Sequence, residues 1–598
     1  MPDPKFAVQG NTKGVTVRFV LAIICFVIAL GTLGTGIAQR TFLAGPSHIT
    51  LSTVSKSSAP VVVIDGAALN SYKHTQNVKL AGSSSAFAAY GRTSDVLAWV
   101  GNSSYNEISL NKVTGKLQSK LHTGKSSTVP NPAGSDLWLQ QFEFDQARNF
   151  DIKVPVDMSV IAVSDGKMPA PSDISLVWPR DNSTPWSGPL ILTGGVALLV
   201  GLILLLLAFY HLRRTRGPRR SQPRMPRLPR QPRLRPQRKE IASTKGRRSI
   251  RNFAALGTTL GVTALLLAGC TAVPAPTIAT STPTPAAGGL AAVTKTPAVT
   301  TVQLQDIMQS VSATVKNADS KFNPKVLKTR MAGPALADRL ANYTIRKANP
   351  ALPASIPIPA GQIKVNLPQA SNTWPRTVFT VLVSKSTATK TTKASTTYTA
   401  LMLIQDTPRD NYKINYAMTL EPNVTFAVAP ATVGTARLNP DTGLFKMQPA
   451  ALAVAYGDIL DKDTDASDYD LFQAQGDTFR TQVGAASKKA AIAALPATAS
   501  LRYTNSSGTG QVVVLATTDQ GAIVAVDLNE TETVKPVQAG AAVSAPGEIQ
   551  ALSGKATSTT GLVAVYGDQL LFYVPSASKS SKIVLLGYGQ GLISAKEL

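Results

Sequence analysis

Residues 189–220 read PLILTGGVALLVGLILLLLAFYHLRRTRGPRR, an uncharged, leucine-rich stretch that runs into a cluster of arginines. A helix of about 20 apolar residues crosses the roughly 30 Å hydrocarbon layer of a membrane. Amphipathic rings flank the stretch, with Trp178 and Trp186 before it and Tyr210 at its end, and such rings favour the interface between lipid and water. The pattern predicts a transmembrane helix over residues 189–211.

The arginines that follow set the orientation. Sixteen Lys or Arg residues lie between Arg213 and Arg251 against the single acid Glu240, so this segment carries most of the net charge of +26. Basic residues beside a membrane span stay on the cytoplasmic side. We therefore predict that residues 212–251 form a cytoplasmic Pro/Arg-rich loop.

Anionic lipid is the partner that we expect for this loop, because each Lys or Arg near such a surface contributes roughly 1 kcal/mol. A nucleic acid is not expected, since the segment has no aromatic side chain to stack on a base. A specific cytoplasmic protein remains the alternative. The predicted lipid contacts are Arg213, Arg214, Arg216, Arg219 and Arg220.

A second uncharged run at residues 19–38 predicts another transmembrane helix, which places residues 1–18 in the cytoplasm and residues 39–188 outside. Small residues in such helices allow close helix contact. Gly31, Gly34 and Gly36 are the candidates for that contact.

A third hydrophobic segment, residues 252–270, is shorter. It follows a basic flank and ends in Leu267, Ala268, Gly269 and Cys270, a tetrapeptide similar to the bacterial lipobox, where a lipid is attached to the Cys thiol and the chain is cut before it. Residues 271–300 are rich in Pro, Thr and Ala and predict a disordered tether. We expect lipidation of Cys270, in a fusion of a two-span protein with a lipoprotein. An ordinary third membrane helix is the alternative.

The outside region at residues 39–188 predicts a mostly β domain arranged as a sandwich. Its short apolar runs lie at residues 60–65, 96–100, 137–142 and 160–163. Turn dipeptides separate the runs at Asp65-Gly66, Thr114-Gly115 and Asp165-Gly166.

Residues 301–430 predict an α+β domain that begins with two helices. Leu304, Ile307, Met308, Val311 and Val315 share one helical face, and Pro334 occupies the favoured first turn of the second helix. Strands are predicted at residues 377–383, 397–405 and 412–420, with a hairpin turn at residues 406–410.

Residues 431–598 repeat the order of helices and then strands, and predict a second α+β domain. The helices are expected at residues 449–460 and 488–495, and the strands at residues 511–517, 522–528, 561–566, 569–574 and 582–586. Two such units resemble the cystatin-like cone of the nuclear-transport-factor-two superfamily, a fold used for binding and for catalysis alike.

Two phrases, residues 331–339 and 374–379, together with the lipobox resemble actinobacterial cell-envelope lipoproteins that carry a domain of unknown function. Residues 154–159, Trp178-Pro179 and residues 183–186 are similarly like an uncharacterised actinobacterial membrane protein. Neither resemblance implies a catalytic residue.

Candidate chemistry is sparse. The four histidines all precede Cys270, so a catalytic triad or a zinc site built on histidine is excluded from the region after it. Asp461, Asp463 and Asp465 form the densest acidic cluster. We interpret it as a solvated loop rather than a calcium site, because Ala466 occupies the EF-hand glycine position and Phe472 the position of the terminal Glu.

These patterns predict a non-catalytic protein of the cell membrane with most of its mass extracytoplasmic. We expect its outside domains to bind another envelope protein or a wall polymer, without a cofactor or a metal. The alternative is an enzyme, or an enzyme accessory, that acts on cell-wall glycan through carboxylates.

Overall fold

The structure, a computed structural model, describes residues 13–83, 85–145, 148–215, 295–386, 395–422 and 424–598. These described residues fall into two compact units, one within residues 1–49 and 179–271 and the other within residues 50–178 and 272–598. Helices and strands are numbered in chain order over the described residues.

The first unit holds two long apolar helices, α1 (Lys13–Arg40) and α4 (Ser187–Thr215). Within them, Thr16–Arg40 and Ser187–Arg214 are long and apolar enough to cross a membrane. Phe19 near the start of α1 meets Phe209 near the end of α4 with ring centroids 5.6 Å apart, so the two helices run antiparallel.

Small residues line part of this helix contact. A Cβ atom on Gly194 would lie 2.7 Å from the Leu33 side chain, and Gly36 faces Ile191 at similarly short range. A Cβ atom on Gly31 or on Gly34 would meet no atom of the other helix within 4 Å. Of the three predicted contact glycines, Gly36 alone is therefore at the contact.

The N-terminal domain of the second unit (residues 50–178) is mainly β. Its strands form a four-stranded sheet in the order β1-β10-β3-β8 and a six-stranded sheet in the order β6-β5-β2-β9-β4-β7. The strands are β1 (His48–Val54), β2 (Val61–Ile64), β3 (Gln76–Ala81), β4 (Ser85–Arg92), β5 (Tyr105–Asn111), β6 (Lys116–His122), β7 (Gln140–Asp145), β8 (Arg148–Ile152), β9 (Met158–Val163) and β10 (Asp173–Pro179).

Two short helices, α2 (Gly66–Leu69) and α3 (Thr93–Val100), correct the sequence prediction for this domain. The apolar run at residues 96–100 belongs to α3 and is not a strand, because five apolar residues satisfy either period. Asp65-Gly66 opens α2 and is not a simple turn. Strand β2 pairs parallel with β5 and antiparallel with β9, so the six-stranded sheet contains both parallel and antiparallel strands. The predicted runs at residues 60–65 and 160–163 coincide with β2 and β9.

The C-terminal domain (residues 295–598) begins with α5 (Thr301–Lys321), which a reciprocal capping box between Thr300 and Gln303 starts. Its other helices are α6 (Pro324–Leu327), α7 (Gly333–Ala348), α8 (Leu452–Lys462), α9 (Thr478–Val483), α10 (Ala485–Ala493) and α11 (Gly547–Ser553). Its strands are β11 (Gln362–Pro368), β12 (Arg376–Ser386), β13 (Ser395–Gln405), β14 (Lys413–Leu420), β15 (Arg437–Leu438), β16 (Ala499–Ser507), β17 (Val513–Ala516), β18 (Ala522–Pro536), β19 (Val543–Ser544), β20 (Thr557–Ser558), β21 (Leu562–Val574) and β22 (Val584–Glu597).

One continuous sheet joins both halves of this domain, in the order β11-β12-β13-β14-β22-β21-β18-β17-β15, with β16 beside β18. Helix α5 packs on the first half, and all five predicted core positions of its apolar face are buried. Helix α8 packs on the second half. A third core contains Phe379 and Met418 from the first half beside Val513 and Leu571 from the second. The two predicted α+β units thus share a sheet and a core.

Most predicted elements of the C-terminal domain are present, but their bounds differ and the structure has further elements. The strands expected at residues 561–566 and 569–574 are one strand, β21, and the strand expected at residues 582–586 extends to Glu597. Strands β11 and β16 were not predicted, although Ile363, Val365 and Leu367 of β11 alternate with polar residues, as do the apolar residues in the first half of β16.

Candidate functional site

A cavity of about 480 Å³ opens in the C-terminal domain, near the end of β14, the start of α9 and the turns that join β17 to β18 and β21 to β22. Its size lies in the range of small-molecule sites. The walls are mixed, with apolar side chains beside carboxylates, amides and hydroxyls. The lining residues are Glu421, Pro422, Val424, Thr425, Ala427, Gln473, Gln475, Gly476, Asp477, Asp519, Tyr573, Lys579, Ser581, Val584, Leu585 and Leu586.

Two buried carboxylates of this cavity hold the start of α9. Asp477 is the N-cap and accepts a hydrogen bond of 2.8 Å from the backbone N–H of Arg480, while the Tyr456 hydroxyl donates to its two oxygens at 2.9 and 2.8 Å. Glu421 accepts from both the N–H and the hydroxyl of Thr478. Burial raises the pKa of Asp477, although these donors oppose the shift. Both carboxylates therefore have structural partners.

The third carboxylate, Asp519, lies on the turn between β17 and β18. It accepts hydrogen bonds from the Thr517 hydroxyl at 2.6 Å, from Tyr573 at 2.5 Å and from the Lys579 ammonium at 3.1 Å. Partial burial would raise its pKa, but these hydrogen bonds and the Lys579 charge hold the pKa below the ordinary value. Asp519 is thus ionised and fixes the Tyr573 and Lys579 side chains at the wall.

Besides the Asp519–Lys579 pair, which is about one third exposed, the groups left to meet a ligand are neutral. Gln473, Gln475 and Ser581 are exposed at the cavity. The Gln473 amide donates to the backbone carbonyl of Gln475 at 2.9 Å, which orders the loop before α9. Amide and hydroxyl groups both donate and accept hydrogen bonds. The cavity therefore suits an uncharged, hydroxyl-rich ligand.

A second group of buried charges lies on the β18–β21 part of the sheet. The ammonium of Lys488, which is 8% exposed, is 2.6 Å from Asp461 and 2.5 Å from Glu530. The sequence suggested that Asp461 belongs to a freely solvated loop. That prediction is wrong, because Asp461 is paired with a buried cation. Burial raises the pKa values of Glu530, Asp527 and Asp568.

The remaining members of the predicted acidic cluster lie apart from that pair. Asp463 and Asp465 form a short 3-10 turn after α8, and Asp465 is exposed. Among the residues that the structure describes, no set of three or more His, Cys, Asp or Glu side chains is placed to hold a metal ion. His122 instead stacks on Tyr105 with ring centroids 4.6 Å apart and bonds Glu107 at 2.7 Å.

The predicted lipid sites fall largely outside the described residues. Leu267, Ala268, Gly269 and Cys270 lie there, as do Arg216, Arg219 and Arg220. Arg213 and Arg214 lie exposed in the last turn of α4. Lipidation and lipid contact remain predictions.

Sequence reasoning missed the cavity. One local signal was available, since Asp477 stands directly before a helix and Asp is a favoured N-cap. The partners Glu421, Asp519 and Tyr573 come from distant strands and turns, so no spacing rule in the sequence connects them.

Comparison with known proteins gives one match. No curated protein and no solved structure matches the sequence. The family model of a domain of unknown function, DUF8094, matches residues 295–597, which are nearly the whole C-terminal domain with its shared sheet and cavity. The chain therefore belongs to the DUF8094 family.

Proposed function

We propose that this protein is a non-catalytic, membrane-held receptor of the cell envelope, and that the cavity of its C-terminal domain binds a hydroxyl-rich wall polymer. The observation that carries the proposal is which polar groups of the cavity are already hydrogen-bonded within the protein and which are exposed. All three carboxylates are occupied by hydrogen bonds inside the protein, and the most exposed polar side chains are the amides of Gln473 and Gln475 and the hydroxyls of Thr425 and Ser581. Such groups bind sugars without any reaction.

Membrane anchoring is the second part of the proposal. The antiparallel pair α1 and α4 is consistent with two spans, and Arg213 and Arg214 at the end of α4 favour a cytoplasmic end. If residues 252–270 cross the membrane as the predicted third hydrophobic segment, the N-terminal and C-terminal domains are both extracytoplasmic. A reporter active only in the cytoplasm should work when fused near Arg230 and fail when fused near Lys120 or Ala450; activity at Lys120 contradicts the topology.

Wall binding is tested by co-sedimentation of the full chain, in detergent, with purified peptidoglycan sacculi or with released wall polysaccharide added as competitor. Replacing Gln473→Ala and Gln475→Ala together should weaken binding about tenfold, since each neutral hydrogen bond contributes roughly 0.5–1.5 kcal/mol. Gln511→Ala with Gln538→Ala is the matched control, because both glutamines are exposed and neither lines the cavity.

Equal binding by the two double variants contradicts the assignment of the site. Failure of the unaltered protein to sediment, combined with crosslinking to another envelope protein, replaces the polymer with a protein partner.

One observation favours the alternative, an enzyme acting on wall glycan. Burial raises the pKa of Asp477, whereas the pKa of Asp519 in the same cavity lies below its ordinary value, and acid and base roles require such a difference. Release of reducing sugar ends from sacculi, lost in both Asp477→Asn and Asp519→Asn, would support catalysis. Asn also serves as an N-cap, so the start of α9 survives the first change.

A further inference from the structure

The N-terminal and C-terminal domains meet through charged groups that neither domain could bury alone. Asp136 of the N-terminal domain is 5% exposed as a side chain and faces Arg330 of the C-terminal domain, which is 6% exposed. The two form a bidentate pair with N–O distances of 2.5 and 3.1 Å. The backbone N–H of Tyr412 donates a further bond of 2.8 Å to Asp136.

A second pair lies at the start of α3. Asp95 accepts a bond of 2.7 Å from Arg376 across the contact and one of 2.8 Å from Arg92 in its own domain. The Arg376 side chain is 0% exposed and stacks on Trp374, with its guanidinium carbon 3.7 Å from the ring centroid. Trp374 in turn packs against the core of the N-terminal domain.

Backbone groups extend the contact at both ends. Arg92 of the N-terminal domain donates to the carbonyls of Pro297 and Ala298 of the C-terminal domain at 2.7 and 3.0 Å. Arg409, on the hairpin turn between β13 and β14, donates at 2.9 Å to the carbonyls of Trp99 and Val100. These are the last carbonyls of α3, where a cation also meets the negative end of the helix dipole.

We propose that residues 50–178 and residues 295–598 form a complex that persists when the chain between them is cut. A buried charge that loses its partner is costly to leave unpaired. Separation would leave Asp136, Arg330 and Arg376 without their ion-pair partners and Asp95 with Arg92 alone. The N-terminal domain is accordingly the protein partner of this face of the DUF8094 domain. The contact is distinct from the polymer cavity and does not depend on what that cavity binds.

The test uses the full chain in detergent, with an affinity tag at the N-terminus and a site for a specific protease inserted after Ala287. After cutting, the fragment that contains residues 295–598 should stay on the affinity resin at about 0.15 M and at about 1 M NaCl, because buried pairs are screened much less than exposed ones. Release of that fragment from the unaltered protein at either salt concentration overturns the proposal.

Two variants place the retention at this contact. Asp136→Asn should speed dissociation of the cut fragments at least about 30-fold, the range for breaking a buried charge pair. Arg409 lies on a surface turn, so Arg409→Ala leaves the cores intact. It should speed dissociation about tenfold, because it removes the hydrogen bonds to the carbonyls of Trp99 and Val100. Asp458→Asn is the control, since its pair with Lys462 is exposed and lies on α8. Unchanged dissociation in both interface variants overturns the proposal.

Discussion

Buried carboxylates are neutralised in two different ways in the second unit. At the contact between its domains, Asp95 and Asp136 face guanidinium groups at hydrogen-bonding distance. Within the C-terminal domain, Asp568 has the Gln590 amide at 2.9 Å and Asp527 has the backbone N–H of Gly510 at 3.0 Å. Asp95 and Asp136 each take a guanidinium partner from the neighbouring domain. Burial of Asp568 and Asp527 instead favours the bound proton and raises both pKa values.

This difference indicates what each cluster stabilises. A carboxylate paired with arginine loses its compensation when the two surfaces part, so it ties the domains together. A carboxyl that holds a proton needs no cation, and its cost to the fold changes with pH. The predictions below separate the two behaviours.

The largest effect is expected for Arg376→Met. The change removes one of the two guanidinium partners of Asp95, which is 2% exposed and keeps Arg92. The loss should therefore be about 3 kcal/mol, the lower end of the range for breaking a buried pair. Urea unfolding of the full chain in detergent measures the loss. Lys462→Met is the control, because its pair with Asp458 is exposed and should contribute little to stability. Equal losses would contradict the comparison.

An intermediate effect is expected for Lys488→Met, which leaves Glu530 and Asp461 without their cation. The loss should be about 2 kcal/mol at neutral pH, below that of a fully buried pair because Asp461 is partly exposed. Burial already raises the pKa of Glu530, so it takes up a proton readily once the cation is gone. The loss should therefore shrink as the pH is lowered; a loss independent of pH would argue against proton uptake.

A smaller, opposite effect is expected for Asp568→Asn. Burial raises the folded-state pKa of Asp568 well above its ordinary value of 3.8. Above that ordinary value the folded protein binds more protons than the unfolded chain, so stability falls as the pH rises towards and through the folded-state pKa.

The Asn variant removes that fall. It should be more stable than the unaltered protein by about 1 kcal/mol near pH 8 and show little gain near pH 4. Urea midpoints across the pH range provide the measurement. A gain of the same size at both ends would mean that packing, and not the proton, is responsible.

The smallest effect is expected for Asp463→Asn together with Asp465→Asn. Neither residue forms an ion pair in the part of the chain that the structure describes, and surface changes of this kind alter stability by roughly 0.5 kcal/mol or less. Adding Asp461→Asn should produce a distinct further loss, because Asp461 is paired with Lys488. An equally small effect for all three would indicate that Asp461 behaves as a solvated surface residue, as the sequence predicted.

The sequence was informative wherever one element decides its own structure. The period of the apolar residues in α5 and the proline at the start of α7 placed both helices correctly. The apolar run within residues 96–100 failed, because its length suits a strand as well as a helix.

Glycine at position 567 shows why β21 was divided. Gly567-Asp568 reads as a turn dipeptide, yet a Cβ atom at Gly567 would lie 3.0 Å from the Ile593 side chain. The glycine serves close packing between β21 and β22. Such a role depends on the partner strand, which local sequence rules do not include.

The buried ion pairs could not be predicted from local sequence patterns either, because each depends on a distant partner. Arg376 lies within a phrase that marked the family resemblance, but its partner Asp95 is 281 positions away. Asp95 stands beside an apolar run. A charge in that position suggests a buried ion pair, but it does not identify the partner residue.

The pairing of β14 with β22 has a consequence for biosynthesis. Thr419 lies opposite Tyr588 and Leu420 opposite Gly587, so the first half of the sheet is completed by the strand that comes last in chain order. Until residues 584–597 have been made, that edge of β14 has open backbone groups, which readily pair with foreign strands. Such long-range pairing forms slowly. A nascent chain that stalls in the second half therefore keeps Thr419 and Leu420 of β14 without their strand partners, and these residues become paired only in chains translated through β22.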